Sequence, residues 1–178
     1  MIINNKRVVF LTVSLKKLDD LELTLLYSSL LKELKQRGII RTNNVVGELG
    51  EYLAINFYNK TKGLPKLQAA PTGTQNIDAL SIKGDRYSIK TTTGSVTGVF
   101  YGMNDPEIRE PDIQKFEYVI IVLFDKEYSL KGIYELSWES FIKHKRWHKR
   151  MRAWNLTITK ALLSDSEIIF EKESKLLN

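Results

Sequence analysis

The stretch Asn76-Ile77-Asp78-Ala79-Leu80-Ser81-Ile82-Lys83-Gly84-Asp85-Arg86-Tyr87-Ser88-Ile89-Lys90-Thr91-Thr92 decides how this chain is read. Apolar and polar residues alternate on both sides of Lys83-Gly84-Asp85, and two alternating arms around a glycine turn spell a β-hairpin. Asp78 lies on the first arm and Lys90 on the second, and counting back from the turn puts both near the middle of adjacent strands. Alternate residues of a strand share a face, so Ser88 and Lys90 point the same way. An acid and a lysine on one sheet face have two readings. They can be a surface cross-strand ion pair, worth at most about 1 kcal/mol. They can instead be a metal-binding acid beside a lysine that orients or helps deprotonate a hydrolytic water.

Towards the N-terminus, Thr42-Asn43-Asn44 supplies cap residues for a helix from Val45 to Tyr58, with Val46, Leu49, Leu53 and Phe57 on one stripe. Glu48 and Glu51 stand one turn apart on it, flanked by Gly47 and Gly50. Each glycine costs a helix about 1 kcal/mol relative to alanine. Small residues there make sense if the helix packs closely on sheet or backbone, which would bring a glutamate towards Asp78; an exposed surface charge is the other reading. The region from Lys60 to Gln75, broken by Gly63, Pro65, Pro71 and Gly73, is expected as loop with a short strand. Further back, Leu18, Leu21, Leu25 and Leu34 recur at helical spacing between Leu15 and Arg37, with Gly38 placed as a C-cap; these leucines are expected in the core. Residues 8–13 read as a short strand.

Towards the C-terminus, residues 94–112 hold three glycines and two prolines and predict an irregular excursion. Residues 116–124 form a continuous apolar run of strand length, suited to a strand covered on both faces, and 132–136 its partner. Ser137 is expected to cap a basic helix reaching about Met151. Residues 155–160 are β-like, and Ser164-Asp165-Ser166-Glu167 is a capping-box pattern that would open a last helix. The layout is α/β, a central mixed β-sheet flanked by helices. It is expected as one domain over 1–178, with its core at about 43–136 and a basic helical part at about 137–178.

Composition narrows the chemistry. With 178 residues, 43% hydrophobic and 27% charged, the chain can bury a core without staples. It has no cysteine, which removes disulfides, thiolate zinc sites and cysteine nucleophiles. No stretch approaches the roughly 20 apolar residues of a membrane span, and the apolar run after Lys6-Arg7 is too short for a signal-peptide core, so a cytoplasmic protein with no membrane partner is expected. Phosphate-loop, dinucleotide-binding and nucleophile-elbow motifs are absent. The net charge is +6, and Lys143, Lys145, Arg146, Lys149, Arg150 and Arg152 account for all of it; the rest of the chain balances 21 basic against 21 acidic residues. A local basic cluster on a neutral body points to a polyanion, the alternative being a solvated helix face. Trp138, Trp147 and Trp154 are interleaved with it, which suits stacking on nucleic acid, although Trp138, Phe141 and Ile142 also fit a core. His144 and His148 have the i, i+4 spacing of a zinc pair without an evident third ligand and are read as part of the basic face.

Glu51 on an early helix, Asp78 opening a hairpin and Ser88-Ile89-Lys90 on its second arm resemble the PD-(D/E)xK nuclease superfamily, over about residues 43–136. The resemblance implies a restriction-endonuclease-like core and a Mg²⁺-dependent endonuclease that hydrolyses DNA phosphodiester bonds, with Mn²⁺ able to substitute. It makes Asp78 the main metal ligand, Lys90 the catalytic lysine and Glu51 the helix carboxylate, with Glu48 the less favoured candidate and the Ile89 carbonyl a further ligand. The departure is Ser88, which stands where the family usually has an acid; a neutral hydroxyl is a weaker Mg²⁺ ligand than a carboxylate. The alternative is therefore a catalytically inactive DNA-binding module of the same fold; a protein-interaction domain meeting an acidic partner is a third reading. Thr91, Thr92 and Thr93, with Gly94 and Ser95, would contact phosphates flanking the cut, the other reading being a plain β-prone strand end. Lys145, Arg146, Lys149 and Arg150 would bind DNA, and Phe100, Tyr101, Asn104 and Arg109 would lie beside the site and touch bases. One such site cuts one strand, so double-strand cleavage implies a homodimer.

Overall fold

The computed structural model describes residues 15–71 and 73–172, so the expected strand at 8–13 lies outside the described residues. The chain forms two compact units that meet between Asn43 and Asn44. The first holds helix α1 (Asp20–Gln36). Asp19 caps it with a full capping box, accepting from the Glu22 amide while the Glu22 carboxylate accepts from the Asp19 amide. Gly38 follows with φ +67°, the left-handed conformation that ends the helix as its position predicted. The core expectation for its leucines is corrected: no residue of α1 is buried, and Leu21, Leu25 and Leu30 are exposed. The helical period was right, but among its described residues this unit offers α1 no second layer to pack on.

The second unit begins with helix α2 (Val45–Lys60), capped by Asn44, whose side chain accepts from the Gly47 amide. Strands β1 (Leu67–Ala69), β2 (Ala79–Ser81), β3 (Arg86–Thr92), β4 (Tyr118–Phe124), β5 (Leu130–Ser137) and β8 (Glu167–Glu171) make one mixed sheet in the order β1-β2-β3-β4-β5-β8. Only β3 and β4 run parallel. A parallel pair needs a crossover, usually a helix; here residues 93–117 provide it without one. The β2–β3 hairpin turns at Gly84, φ +93°, with Ser81 Oγ and the Asp85 carboxylate bonded across it at 2.7 Å.

Two cores lie on the two faces of this sheet. On one, Ala54 and Tyr58 of α2 pack on Tyr87, Ile89, Ile120 and Val122. On the other, Val119 and Ile121 join Phe100, Phe116, Phe141, Leu156 and Leu162. β4 feeds alternate side chains into both, which is why its sequence is an unbroken apolar run. The second face is covered by α3 (Trp138–His144), the two-stranded hairpin of β6 (Lys145–His148) and β7 (Ala153–Leu156), and α4 (Lys160–Ser164).

Two expectations are corrected here. The basic helix stops at His144, and Lys145–His148 turns into a strand paired with Ala153–Leu156. Trp147 lies directly opposite Trp154, rings 5.2 Å apart, and such a cross-strand aromatic pair outweighs the weak helical preference of a basic stretch. The capping-box pattern at 164–167 opens no helix. Thr159 caps the short α4, Asp165 ends it, and Glu167–Glu171 becomes the edge strand beside β5. β-Branched and aromatic Ile168-Ile169-Phe170 pair with an otherwise open sheet edge.

One ionisable pair sits inside the α2 face. The Tyr58 hydroxyl, wholly buried, donates to the Glu135 carboxylate. Burial pushes the Glu135 carboxyl above its ordinary value, with Glu167 and Asp85 adding to the effect and the Tyr58 hydrogen bond opposing it. A raised folded pKa means that folding favours the protonated form. The favourable contribution is full below the ordinary carboxylate value of 4.5 and is lost as pH rises through the folded value. Glu135→Gln keeps an acceptor for Tyr58 and removes the charge. It should gain stability relative to the parent as pH goes from 5 to 8, read as urea midpoints; a parent–variant difference unchanged across that window would contradict the assignment. Glu117, whose carboxyl is held low by Arg86, has the opposite sign but cancels in the comparison.

Candidate functional site

The site grows from the short length of β2. Register pairs Ala79 with Tyr87 and the ladder ends there, so Asp78 is not mid-strand as expected but just before β2, opposite Ser88. The Asp78 amide donates to the Tyr87 carbonyl at 2.8 Å, and its own carbonyl accepts from Ala70 at 2.9 Å, which fixes the backbone between β1 and β3. Its side chain then takes over where the ladder stops: Oδ2 accepts the Ile89 amide at 2.6 Å and the Ser88 hydroxyl at 3.3 Å. Lys90 Nζ comes to 4.0 Å from the same oxygen. Both side chains of this pair reach solvent, Lys90 at 20% and Asp78 at 24% exposure. Ser88 is fully buried.

Lys90 is supported from below by Phe100, whose ring centroid lies 5.1 Å from Nζ. Beside it, Asn76, at φ +61°, donates its side-chain amide to the Tyr101 carbonyl at 2.8 Å and ties the strand entry to the crossover. Phe100 is a floor to the site and wholly buried, so it contacts no base; Tyr101 is exposed. Asn104 is spent on the Glu110 carbonyl and on Asp112, while Arg109 is exposed. The cation–ring support of Lys90 was not legible in the sequence, because the irregular backbone of residues 93–99 separates β3 from Phe100 and only the fold returns that ring to the sheet.

The structure therefore brings Asp78, Ser88, Ile89 and Lys90 together. Glu48 and Glu51 ride on α2, which packs on the opposite face: the Gly47 carbonyl accepts from Thr91 Oγ1 at 3.4 Å, and Thr91 alternates with Lys90 along β3. Glu48 is buried and Glu51 half-buried. The expected close approach of the helix glycines is present, since a Cβ on Gly50 would stand 2.0 Å from Thr91 Oγ1. Among the described residues no group of three or more acidic or histidine side chains converges. The donors nevertheless meet a minimal demand: Mg²⁺ keeps several waters and binds through one or two carboxylates together with substrate phosphate oxygens, and Asp78 supplies one partly exposed carboxylate.

The residues expected to touch DNA divide. Thr91 faces α2, and Thr92 Oγ1 closes a local turn, donating to Val96 at 2.8 Å and accepting from Gly94 at 3.0 Å. Thr93, Gly94 and Ser95 are exposed and line an open cleft of about 770 Å³ with Lys126, Lys131 and Lys172. Asp78 and Lys90 line neither this cleft nor a second of about 390 Å³ between Trp138, Ile142 and Trp154. Lys145 is paired with Asp112, at 12% and 7% exposure, and lies 4.0 Å from the centroid of the Trp154 ring. Lys143 and His144 both reach Asp165, at 2.5 and 2.7 Å, and Arg152 reaches Asp105 at 2.8 Å. His148 accepts the Met151 amide on Nδ1 at 3.2 Å. Arg146, Lys149 and Arg150 are exposed. No helix among the described residues is long and apolar enough to cross a membrane. Neither a protein-family model nor a curated protein sequence matches this chain.

Proposed function

We propose that this chain is a metal-dependent deoxyribonuclease of the restriction-endonuclease-like, PD-(D/E)xK kind, hydrolysing DNA phosphodiester bonds at Asp78 and Lys90 with Mg²⁺ or Mn²⁺. The observation that carries the reading is the meeting of Lys90 Nζ with Asp78 Oδ2 on a solvent-reaching margin of the sheet. A bound divalent ion supplies Lewis acidity and neutralises phosphate charge. Asp78 would hold it, and the Ile89 amide holds Asp78. Lys90, kept in place over Phe100, orients the attacking water and balances charge growing on the phosphate oxygens. Ser88 keeps the carboxylate oriented from the buried side and is a positioning residue in this scheme. Cleavage of both strands would require two copies, hence a homodimer.

One observation favours a second reading. Ser88 is buried and neutral at the position of the second acid, which suits a DNA-binding module without catalysis. Supercoiled and linear duplex incubated with Mg²⁺, Mn²⁺ or chelator separate the two, with Asp78→Asn as the control variant. Asparagine retains an acceptor for the Ile89 amide, whereas alanine would leave that donor bare at a cost of about 1–3 kcal/mol. Cutting with metal, none with chelator and none by Asp78→Asn is the expected result. Salt-sensitive binding without cutting in either metal would move the assignment to the second reading.

A further inference from the structure

The basic cluster is not a uniform charged surface. Lys143, Lys145 and Arg152 each carry an acidic partner, on Asp165, Asp112 and Asp105. Arg146, Lys149 and Arg150 carry no ion pair among the described residues and are exposed. These three occupy one feature, the outward side and the turn of the β6–β7 hairpin. Arg146 alternates with the inward Lys145 and Trp147, and Lys149 and Arg150 follow in the turn between His148 and Ala153.

The root of this hairpin is held firmly. Phe100 and Trp154 exchange two backbone hydrogen bonds of 2.6 and 3.2 Å, and Trp154 Nε1 donates to the Asn104 carbonyl at 2.8 Å. The Trp147–Trp154 ring pair and the Lys145–Asp112 ion pair stiffen it further. The same Phe100 lies under Lys90. A rigid two-stranded ribbon with a cationic turn is thus rooted on the residue that floors the Asp78–Lys90 site.

We propose that the β6–β7 hairpin is a ribbon that enters the major groove of duplex DNA, with Arg146, Lys149 and Arg150 as its contacts, so that duplex and not single-stranded DNA is the substrate class. The inference rests on the nucleic-acid reading above and goes beyond it. Two strands about 4.8 Å apart, with their side chains, match a major groove about 12 Å wide and overfill a minor groove of about 6 Å. Cations that meet phosphates release counterions, so each contact leaves a mark on the salt dependence of binding.

The test measures binding in chelator, by fluorescence anisotropy, to a duplex and to a single strand of equal length across a salt series. The parent should prefer duplex, and a major-groove ligand such as methyl green should displace it where the minor-groove ligand netropsin does not. Arg146→Ala/Lys149→Ala/Arg150→Ala should lower the salt slope by about 2–3 and erase the duplex preference. Lys143→Ala/Arg152→Ala, which removes cations that are already paired, should leave both nearly unchanged. A triple variant with the parent's slope and preference, or displacement by netropsin alone, would overturn the ribbon while leaving DNA binding in place. Equal losses in the paired-cation control would also overturn it, in favour of general charge. No salt-sensitive binding by the parent to either DNA would remove the nucleic-acid reading and the ribbon with it.

Discussion

Lys90→Ala should lower metal-dependent cleavage by about 10²–10⁴-fold, the range for a side chain that manages a proton or developing charge in the transition state, while leaving DNA affinity and folding nearly intact. The geometry makes the two effects separable. The Lys90–Asp78 contact is long, 4.0 Å, and partly solvated, so its loss costs at most about 1 kcal/mol of stability. The contact with Phe100 adds about 0.5–1 kcal/mol. A purely structural lysine would therefore show a modest drop in the unfolding midpoint and no specific defect in turnover. A catalytic one should lose kcat with little change in KM or in binding measured under chelator. The decisive measurement is single-turnover cleavage of a duplex by parent and variant at matched fractional binding. Full activity in the alanine variant would end the assignment of Lys90, and with it the nuclease reading of this face.

The largest expected effect on stability is at Gly50. Alanine is the better helix former by about 1 kcal/mol, and at an exposed helical glycine it would stabilise. Here the added Cβ would lie 2.0 Å from Oγ1, 2.8 Å from Cγ2 and 2.9 Å from Cβ of Thr91. Threonine is β-branched and cannot swing both branches away, so α2 must lift from β3, and overpacking of this kind costs about 1–3 kcal/mol. The steric cost wins over propensity. Gly50→Ala should lose about 2 kcal/mol, roughly 4–8 °C for a chain of this size. Thr91→Ala in the same chain removes the two nearest atoms and should recover much of the loss, whereas Thr91→Ser, whose single branch can swing away, should recover part of it. Additive losses in the double variant would show that α2 does not meet β3 at this point. Because Thr91 adjoins Lys90, the Gly50→Ala protein should also cleave more slowly in proportion to its altered strand.

Much of this architecture was local and therefore legible. The alternation on both sides of Gly84 marked the β2–β3 hairpin, the unbroken apolar run marked β4 as a strand covered on both faces, and Asn44 marked the start of α2. Period and cap chemistry need only a few neighbouring residues, so they survive without knowledge of the fold. Where a segment's conformation depended on a distant partner, the same reasoning failed. Lys145–His148 looks helical by composition and is a strand because Trp147 finds Trp154; Glu167–Glu171 looks like a helix start and is a strand because β5 has an open edge.

The candidate site divides along the same line. The sequence by itself determined that an aspartate and a lysine lie on the two arms of one hairpin, that Ser88 stands between them, and that an excess of cations gathers near residue 150. Only the tertiary structure decided that Asp78 caps the Ile89 amide at the broken end of a ladder, that Phe100 floors Lys90, and that α2 packs on the opposite face. It also decided which cations are already neutralised, since Asp112 meets Lys145 across 33 residues and Asp105 meets Arg152 across 47. Alternation and capping are set by bonds between near neighbours along the chain, whereas burial and charge pairing are set by which distant segments the sheet and its two cores bring into contact.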